Sequence, residues 1–256
     1  MRRATKPGAI GGISLWAGMD RPIAMASPPY RRVSPGVHPQ EDPAYRSTVL
    51  RHPLQPLIAI PQTLSEITGP SYPYDAIGPV DNDLTRHHAA PPIGERIIVE
   101  GRVFDESGRP VPGTLVEIWQ ANACGRYAHE VDTHDAPLDP NFTGTGRTIT
   151  DEDGRYSFLT IKPGHYPWRN HHNAWRPAHI HFSLLGPGFL ARLVTQMYFP
   201  GDPLQPLDPI FNSVKDPAVR ERMVSSFDIN LTVPDWAIGF HWDVVLRGRE
   251  ATPMLP

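Results

Sequence analysis

The sequence predicts a mainly β fold, a sandwich of short strands carrying long loops, and three observations predict it. The 256 residues include 31 prolines. Each proline inside a helix removes a backbone donor and clashes with the preceding turn, so long helices are disfavoured. From Arg96 onward, short β-branched or alternating runs recur, and several end at turns such as Asp105-Glu-Ser-Gly108 and Asp151-Glu-Asp-Gly154. Two connections, 121–146 and 162–178, are far longer than a turn requires. Long ordered loops on a rigid frame are where function is usually mounted.

The strands follow in order. Residues 97–104 form the first and 114–120 the second, with Val116 and Ile118 on one face. Residues 147–150 and 156–161 come next, the latter stopping at Lys162-Pro-Gly164. Residues 179–185, 193–199 and 240–246 complete the set. The first turn and the run Val111-Pro-Gly-Thr-Leu-Val-Glu-Ile118 occur in many prealbumin-like binding modules, so that segment alone suits a non-catalytic sandwich equally well.

Upstream the chain changes character, which divides it into three zones. Residues 1–35 read as a disordered extension. Their mildly apolar stretch, 9–17, is broken by glycines and lacks the strong apolar core of a signal peptide. Residues 36–93 read as a Pro-rich arm with one short helix over 61–68, where Thr63-Leu-Ser-Glu66 resembles a capping box. Residues 94–250 are the sandwich.

Composition excludes several function classes. The formal net charge is −3, with 24 basic residues scattered among 27 acidic ones, which does not suit a nucleic-acid binder. No apolar run approaches the length needed to cross a bilayer, so no membrane partner is expected. Cys124 is the single cysteine, so no internal disulfide and no Cys-x-x-Cys metal site can exist. That suits a reducing compartment, the cytoplasm. A metal site in this chain must draw on His, Tyr, Asp or Glu.

The densest chemical segment runs from His165 to His181, with five histidines, Tyr166, two tryptophans and two arginines. His179 and His181 alternate on a strand, so both imidazoles leave one face roughly 7 Å apart and can converge on one ion. Two polar residues on a solvated strand face would give the same pattern. No Cys, Asp or Glu beside them completes a usual zinc set. Asp202 and Asp208 come later, in Pro-rich loops. Tyr166 and Tyr127 are the alternative donors. A phenolate is a hard anionic oxygen that matches a hard trivalent ion such as Fe(III), whose charge offsets the cost of deprotonating a phenol near pH 7.

A family resemblance enters on longer runs. These are Glu66-Ile-Thr-Gly-Pro70, Pro92-Ile-Gly-Glu-Arg-Ile-Ile98, Trp119-Gln-Ala-Asn122, Gly125-Arg-Tyr127, Ala136-Pro-Leu-Asp-Pro-Asn-Phe142, Thr160-Ile-Lys-Pro-Gly164, Tyr166-Pro-Trp-Arg-Asn170 and Trp175-Arg-Pro-Ala-His-Ile-His-Phe182. Over about residues 40–250 the chain resembles the intradiol ring-cleaving dioxygenases, in particular their protocatechuate 3,4-dioxygenase β-subunit branch. The resemblance implies a non-haem Fe(III) held by Tyr127, Tyr166, His179 and His181. It implies a catechol substrate, protocatechuate, bound through both oxygens as Tyr166 leaves the ion, and opened by O₂ to 3-carboxy-cis,cis-muconate in aromatic catabolism, the β-ketoadipate route. Arg176 would lie over the substrate ring and stabilise anionic intermediates, Trp168 would wall the pocket, and Gln196 would bond a ligand or intermediate. Tyr45, in Asp42-Pro-Ala-Tyr45, would approach the substrate carboxylate. The partner implied is a homologous α subunit. The rivals within the family are catechol and hydroxyquinol enzymes, whose N-terminal helical dimerisation domain is not legible here. Cys124, the extra histidines His165, His171 and His172, the short loop over 81–92 and the N-terminal extension depart from the pattern.

Overall fold

Residues 77–168, 175–186 and 192–255 are described in the computed structural model of this chain. The extension over 1–35, the helix over 61–68, Tyr45, His171 and His172 lie outside them.

Strand β1 (Arg96–Phe104) alternates strictly, with Ile97, Val99 and Val103 turned inward and fully buried. It is the centre of one sheet. On one side it pairs antiparallel with β4 (Arg155–Ile161), and on the other it pairs parallel with β10 (Ile238–His241) and β11 (Val244–Val245). A short edge strand, β9 (Ser226–Phe227), extends the sheet from β10. The second sheet runs β3 (Thr145–Ile149), β2 (Leu115–Trp119), β7 (His179–Leu185), β8 (Leu193–Tyr198), antiparallel throughout. Strands β5 (Tyr166–Pro167) and β6 (Trp175–Arg176) form a separate two-stranded ribbon.

The inner faces of the two sheets meet in one core. Phe182 of β7 packs its edge against Phe158 and Tyr156 of β4, with ring centroids 6.3 and 5.8 Å apart, and against Trp242 at 4.8 Å. Ile180 and Leu184, its neighbours at period two, are equally buried. Truncating a ring such as Phe182 to alanine would cost roughly 3–5 kcal/mol, because close neighbours on both sheets cannot all collapse into the void. The expected β-sandwich is therefore the fold.

Most strands lie within a residue or two of their expected bounds. The exception is 240–246, which is two strands interrupted at Trp242 and Asp243. There the Trp242 carbonyl takes the Tyr156 hydroxyl at 2.5 Å, over Gly101 of β1, where a methyl group would lie 1.7 Å from that oxygen. Asp243 Oδ1 instead accepts from the Arg102 amide at 2.8 Å. The ladder is broken by side-chain chemistry that hydrophobic patterning does not register. Among the described residues the helices are short: one α-helix, α1 (Pro217–Arg220), capped by Asp216, and 3-10 turns.

A second cluster covers part of the outer face of the second sheet. Tyr198 joins Ile210, Phe211, Val214, Val219, Met223 and Leu255, with Trp168 packed against it. This cluster roofs the strands that carry the site.

Candidate metal centre

Register places the candidate residues on that outer face. His179 stands opposite Tyr198 and His181 opposite Gln196 across β7–β8, while Trp119 stands opposite His181 across β2–β7. Cross-strand partners share a face, so these five side chains leave the sheet together. The Trp119 indole stacks on the His181 ring, centroids 4.7 Å apart and 6° from parallel. The two imidazole centroids are 4.9 Å apart. His179 is 3% exposed, so the solvated-face reading of the His-x-His pair does not hold for it.

The tyrosines arrive on loops. Tyr127 follows a tight turn in which Asn122 Oδ1 accepts from the amides of Cys124 and Arg126. Gly125 in that turn has φ +75°, and a methyl group there would lie 1.8 Å from the His165 carbonyl oxygen. Only glycine lets the two tyrosine loops touch at this point. The Asn122 carbonyl also accepts from Gly164 at 2.9 Å, tying the Tyr127 turn to the segment leading into Tyr166. Asp132 Oδ2 accepts from the Tyr127 amide at 2.8 Å. Tyr166 sits in β5, opposite Arg176 of β6.

The four expected donors converge. Tyr127 Oη is 3.4 Å from His179 Nε2. The Tyr127 ring meets Tyr166 edge-on at 5.1 Å and His181 at 6.2 Å. Two donors bound about 2.1 Å from one ion at right angles lie about 3 Å apart, so the Tyr127–His179 spacing suits a shared ion. His179 Nδ1 lies 2.7 Å from the Pro177 carbonyl, to which it donates. That assigns the proton to Nδ1 and leaves the Nε2 lone pair facing Tyr127.

Electrostatics points the same way. Burial, then the Arg176 charge, pushes the His179 pKa well down, and burial followed by His179 and Arg176 does so for His181, so both rings stay neutral and can donate. Burial raises the Tyr127 phenol, only partly opposed by Arg176, and raises Tyr166 as well. Neither phenol ionises near neutral pH without a strong positive charge beside it, which a trivalent ion supplies. Among the described residues no group of three His, Cys, Asp or Glu side chains is placed to hold a metal. A metal here depends on the phenols, and the donor set fits ferric iron.

Arg176 lies beside the donors and is 4% exposed. Its Nη1 is 3.1 Å from His179 Nε2, and its Nη2 donates to Gln196 Oε1 at 2.6 Å and to the Tyr198 hydroxyl at 3.0 Å. Burial opposes its charge, but Asp208, Tyr198 and Tyr127 outweigh that and hold the guanidinium protonated. The Trp168 ring is 5.3 Å from its Cζ.

The structure thus brings together Tyr127, Tyr166, Trp168, Arg176, His179, His181 and Gln196, and Tyr45 is outside the described residues. Asp202 and Asp208, which the sequence offers only as later carboxylates in Pro-rich loops, both lie beside the site: Asp208 is fully buried against Arg176, and Asp202 Oδ2 takes the Ala178 amide and lies 3.1 Å from His165 Nε2. Trp119 and Tyr198 join them, though sequence reading assigns neither a role. The last two were accessible from period-two placement. Asp208 carried no such signal, being 32 residues from its partner. Cys124 is a free, exposed thiol.

The fold has a family. A profile described as "Dioxygenase" matches residues 67–248, and one described as "Protocatechuate 3,4-dioxygenase beta subunit N terminal" matches residues 30–63. The chain belongs to the intradiol dioxygenases, enzymes that cleave aromatic rings. Within them it is 54% identical to the protocatechuate 3,4-dioxygenase beta chain of Burkholderia cepacia, over 92% of this chain and 99% of that protein. It is 28% identical to the protocatechuate 3,4-dioxygenase alpha chain of Pseudomonas putida, over 77% of this chain and 97% of that one. Among solved structures it resembles 3-chlorocatechol 1,2-dioxygenase of Rhodococcus opacus 1CP at 25% identity and a TM-score of 0.51, covering 70% of each chain. Among the described residues no helix is long and apolar enough to cross a membrane.

Proposed function

We propose that this chain is the iron-bearing subunit of a cytoplasmic enzyme that opens protocatechuate with O₂, between its two hydroxyl-bearing carbons, to 3-carboxy-cis,cis-muconate, working beside a homologous α-type chain. The observation that carries the reading is the convergence of Tyr127, Tyr166, His179 and His181 beside the buried Arg176. Similarity to the Burkholderia cepacia beta chain along nearly all of that protein supports the substrate, and its alpha-chain relative supports the partner.

Held by these four residues, ferric iron would seat the two catechol oxygens and make the ring reactive toward O₂. The chain's own residues then divide the work. His179 is kept in one tautomer by Pro177, and His181 is fixed against Trp119. Tyr127 is anchored through Asp132 and the Asn122 turn. Tyr166 is half-buried on a two-residue strand, and the family resemblance makes it the phenol that would give up its place to substrate, its Oη then taking a catechol proton. Arg176 keeps its charge at the site and offers it to anionic oxygen. Tyr45 and Trp168 would meet the carboxylate and ring of the substrate, and Gln196 would steady Arg176.

The test is purification with and without a homologous second chain, iron analysis, and turnover of protocatechuate, catechol and hydroxyquinol under ¹⁸O₂. The expected result is a coloured protein with one iron per chain that is fastest on protocatechuate, with both labelled atoms in an intradiol product. A hydroxymuconic semialdehyde product would refute it. So would a colourless zinc protein recovered from iron-replete cells.

A further inference from the structure

We propose that Asp208 is a positioning residue for the reaction, acting through Arg176 to select which guanidinium nitrogen faces the substrate. The assignment rests on the functional reading above and deepens it.

Asp208 lies in the Pro-rich loop after β8, outside every motif that marks the site, yet it is fully buried. Its two oxygens grip one edge of the guanidinium: Oδ1 accepts from Nε at 3.1 Å and Oδ2 from Nη2 at 2.9 Å. A two-point grip fixes the plane of the group as well as its place. The second Nη2 hydrogen is shared between Gln196 Oε1 and the Tyr198 hydroxyl. Nη1 is thereby left as the nitrogen turned toward the donors, 3.1 Å from His179 Nε2. Were that lone pair given to a metal, the Nη1 hydrogens would have no other acceptor among the described residues and would be available to an anionic oxygen of a bound catecholate.

Asp208 is itself braced. Oδ1 also accepts from the Ile210 amide at 3.2 Å, and the Tyr198 hydroxyl lies 3.1 Å from Oδ2. Its carbonyl takes both the amide and the side-chain nitrogen of Asn212, at 3.0 and 2.8 Å. These struts end in the second apolar cluster, which contains Tyr198, Ile210 and Phe211. The loop thus transmits the rigidity of packed side chains to a flexible arginine. None of its groups is a metal donor, so its loss should leave iron binding largely intact and degrade the chemical step.

The experiment compares Asp208→Asn and Asp208→Glu with the parent, each purified with the second chain, in parental and Arg176→Lys backgrounds. Four readouts are taken: iron per chain, the visible phenolate-to-iron band, its change on anaerobic addition of protocatechuate, and kcat against KM. The expected result is iron and band as in the parent, KM within about threefold, and kcat lower by about 10- to 100-fold, the range seen when a group orienting an active-site residue is lost. In the Arg176→Lys background, Asp208→Asn should lower kcat less than twofold further. Parental kcat in either folded Asp208 variant overturns the assignment, as does an equal loss in both backgrounds. If neither Asp208 variant folds, Asp208 supports the fold rather than the site, and the assignment falls. A parent without iron or ring-opening activity would overturn the functional reading, and this assignment with it.

Discussion

The site is built from two kinds of structure, and they hold their residues differently. Strand β7 delivers His179 and His181 at a spacing set by backbone geometry, locked by ladders to β2 and β8 and by a core face of Ile180, Phe182 and Leu184. No hydrogen bond between the two imidazoles is needed to keep them aimed. Tyr127 and Tyr166 come from loops without that inheritance. Their positions depend on individual fixtures: the Asn122 turn, Asp132 beneath Tyr127, the close approach at Gly125, and the pairing of Tyr166 with Arg176. The strand gives precision, and the loops give the freedom a donor needs if it must leave and return. On the proposed function, one site would therefore grip an ion and still open a place for substrate.

That contrast can be broken most severely on the strand. His179→Ala and His181→Ala should each reduce iron to below about a tenth of an atom per chain and abolish turnover, because ligands on a rigid strand have no substitute nearby. Metal analysis by mass spectrometry decides it, and either variant loading to parental levels would show that the face of β7 is not the seat.

The two phenols should then separate from each other. Tyr127→Phe should lose most of its iron, since Tyr127 is the braced donor. Tyr166→Phe should keep about half or more of it with an altered visible spectrum, losing about 10²-fold in kcat as the proton acceptor disappears. Spectra and iron content of the matched pair test this, and the opposite ranking would reassign the leaving phenol.

A change that touches no donor sharpens the loop side. Gly125→Ala forces a side chain into a left-handed turn and against the His165 carbonyl. It should destabilise the protein by about 2–4 kcal/mol and lower the iron content. Denaturant midpoints at constant m-value would measure it. An unchanged midpoint would mean the two loops do not depend on each other there.

The smallest effects belong to His171 and His172, which lie outside the described residues. Consecutive side chains seldom converge on one ion, so alanine at either position should leave colour intact and activity within about tenfold, about 1.4 kcal/mol of barrier. Iron loss in His171→Ala alongside normal loading of His179→Ala would invert the whole ranking.

Much of this was readable in the chain itself. Alternating apolar residues predict β1, β4 and β7 nearly to the residue, since one buried face imposes a period of two. The same period puts His179 and His181 on a common face, and the motif runs carrying Tyr127 and Tyr166 point, by family resemblance, to the two phenols that the fold brings beside them. The interruption at Trp242 was not readable, because it depends on a hydroxyl from Tyr156, 86 residues away. The tautomer of His179 was not readable either, because it depends on where a carbonyl points.

The sequence by itself determined a β-sandwich, a shared strand face for His179 and His181, and the intradiol family, because strand periodicity and motif runs are local and survive in one dimension; that these histidines hold ferric iron with Tyr127 and Tyr166 is the proposed function, implied by the family. Only the tertiary structure decided that Asp208 grips Arg176 and that Asn122 and Gly125 join the two tyrosine loops. It also decided that Trp119 lies flat on His181. Those contacts join residues tens of positions apart, and a charge or a turn acquires its partner only when the sheets close and exclude water, leaving each buried polar group to be satisfied by whatever the fold has brought beside it.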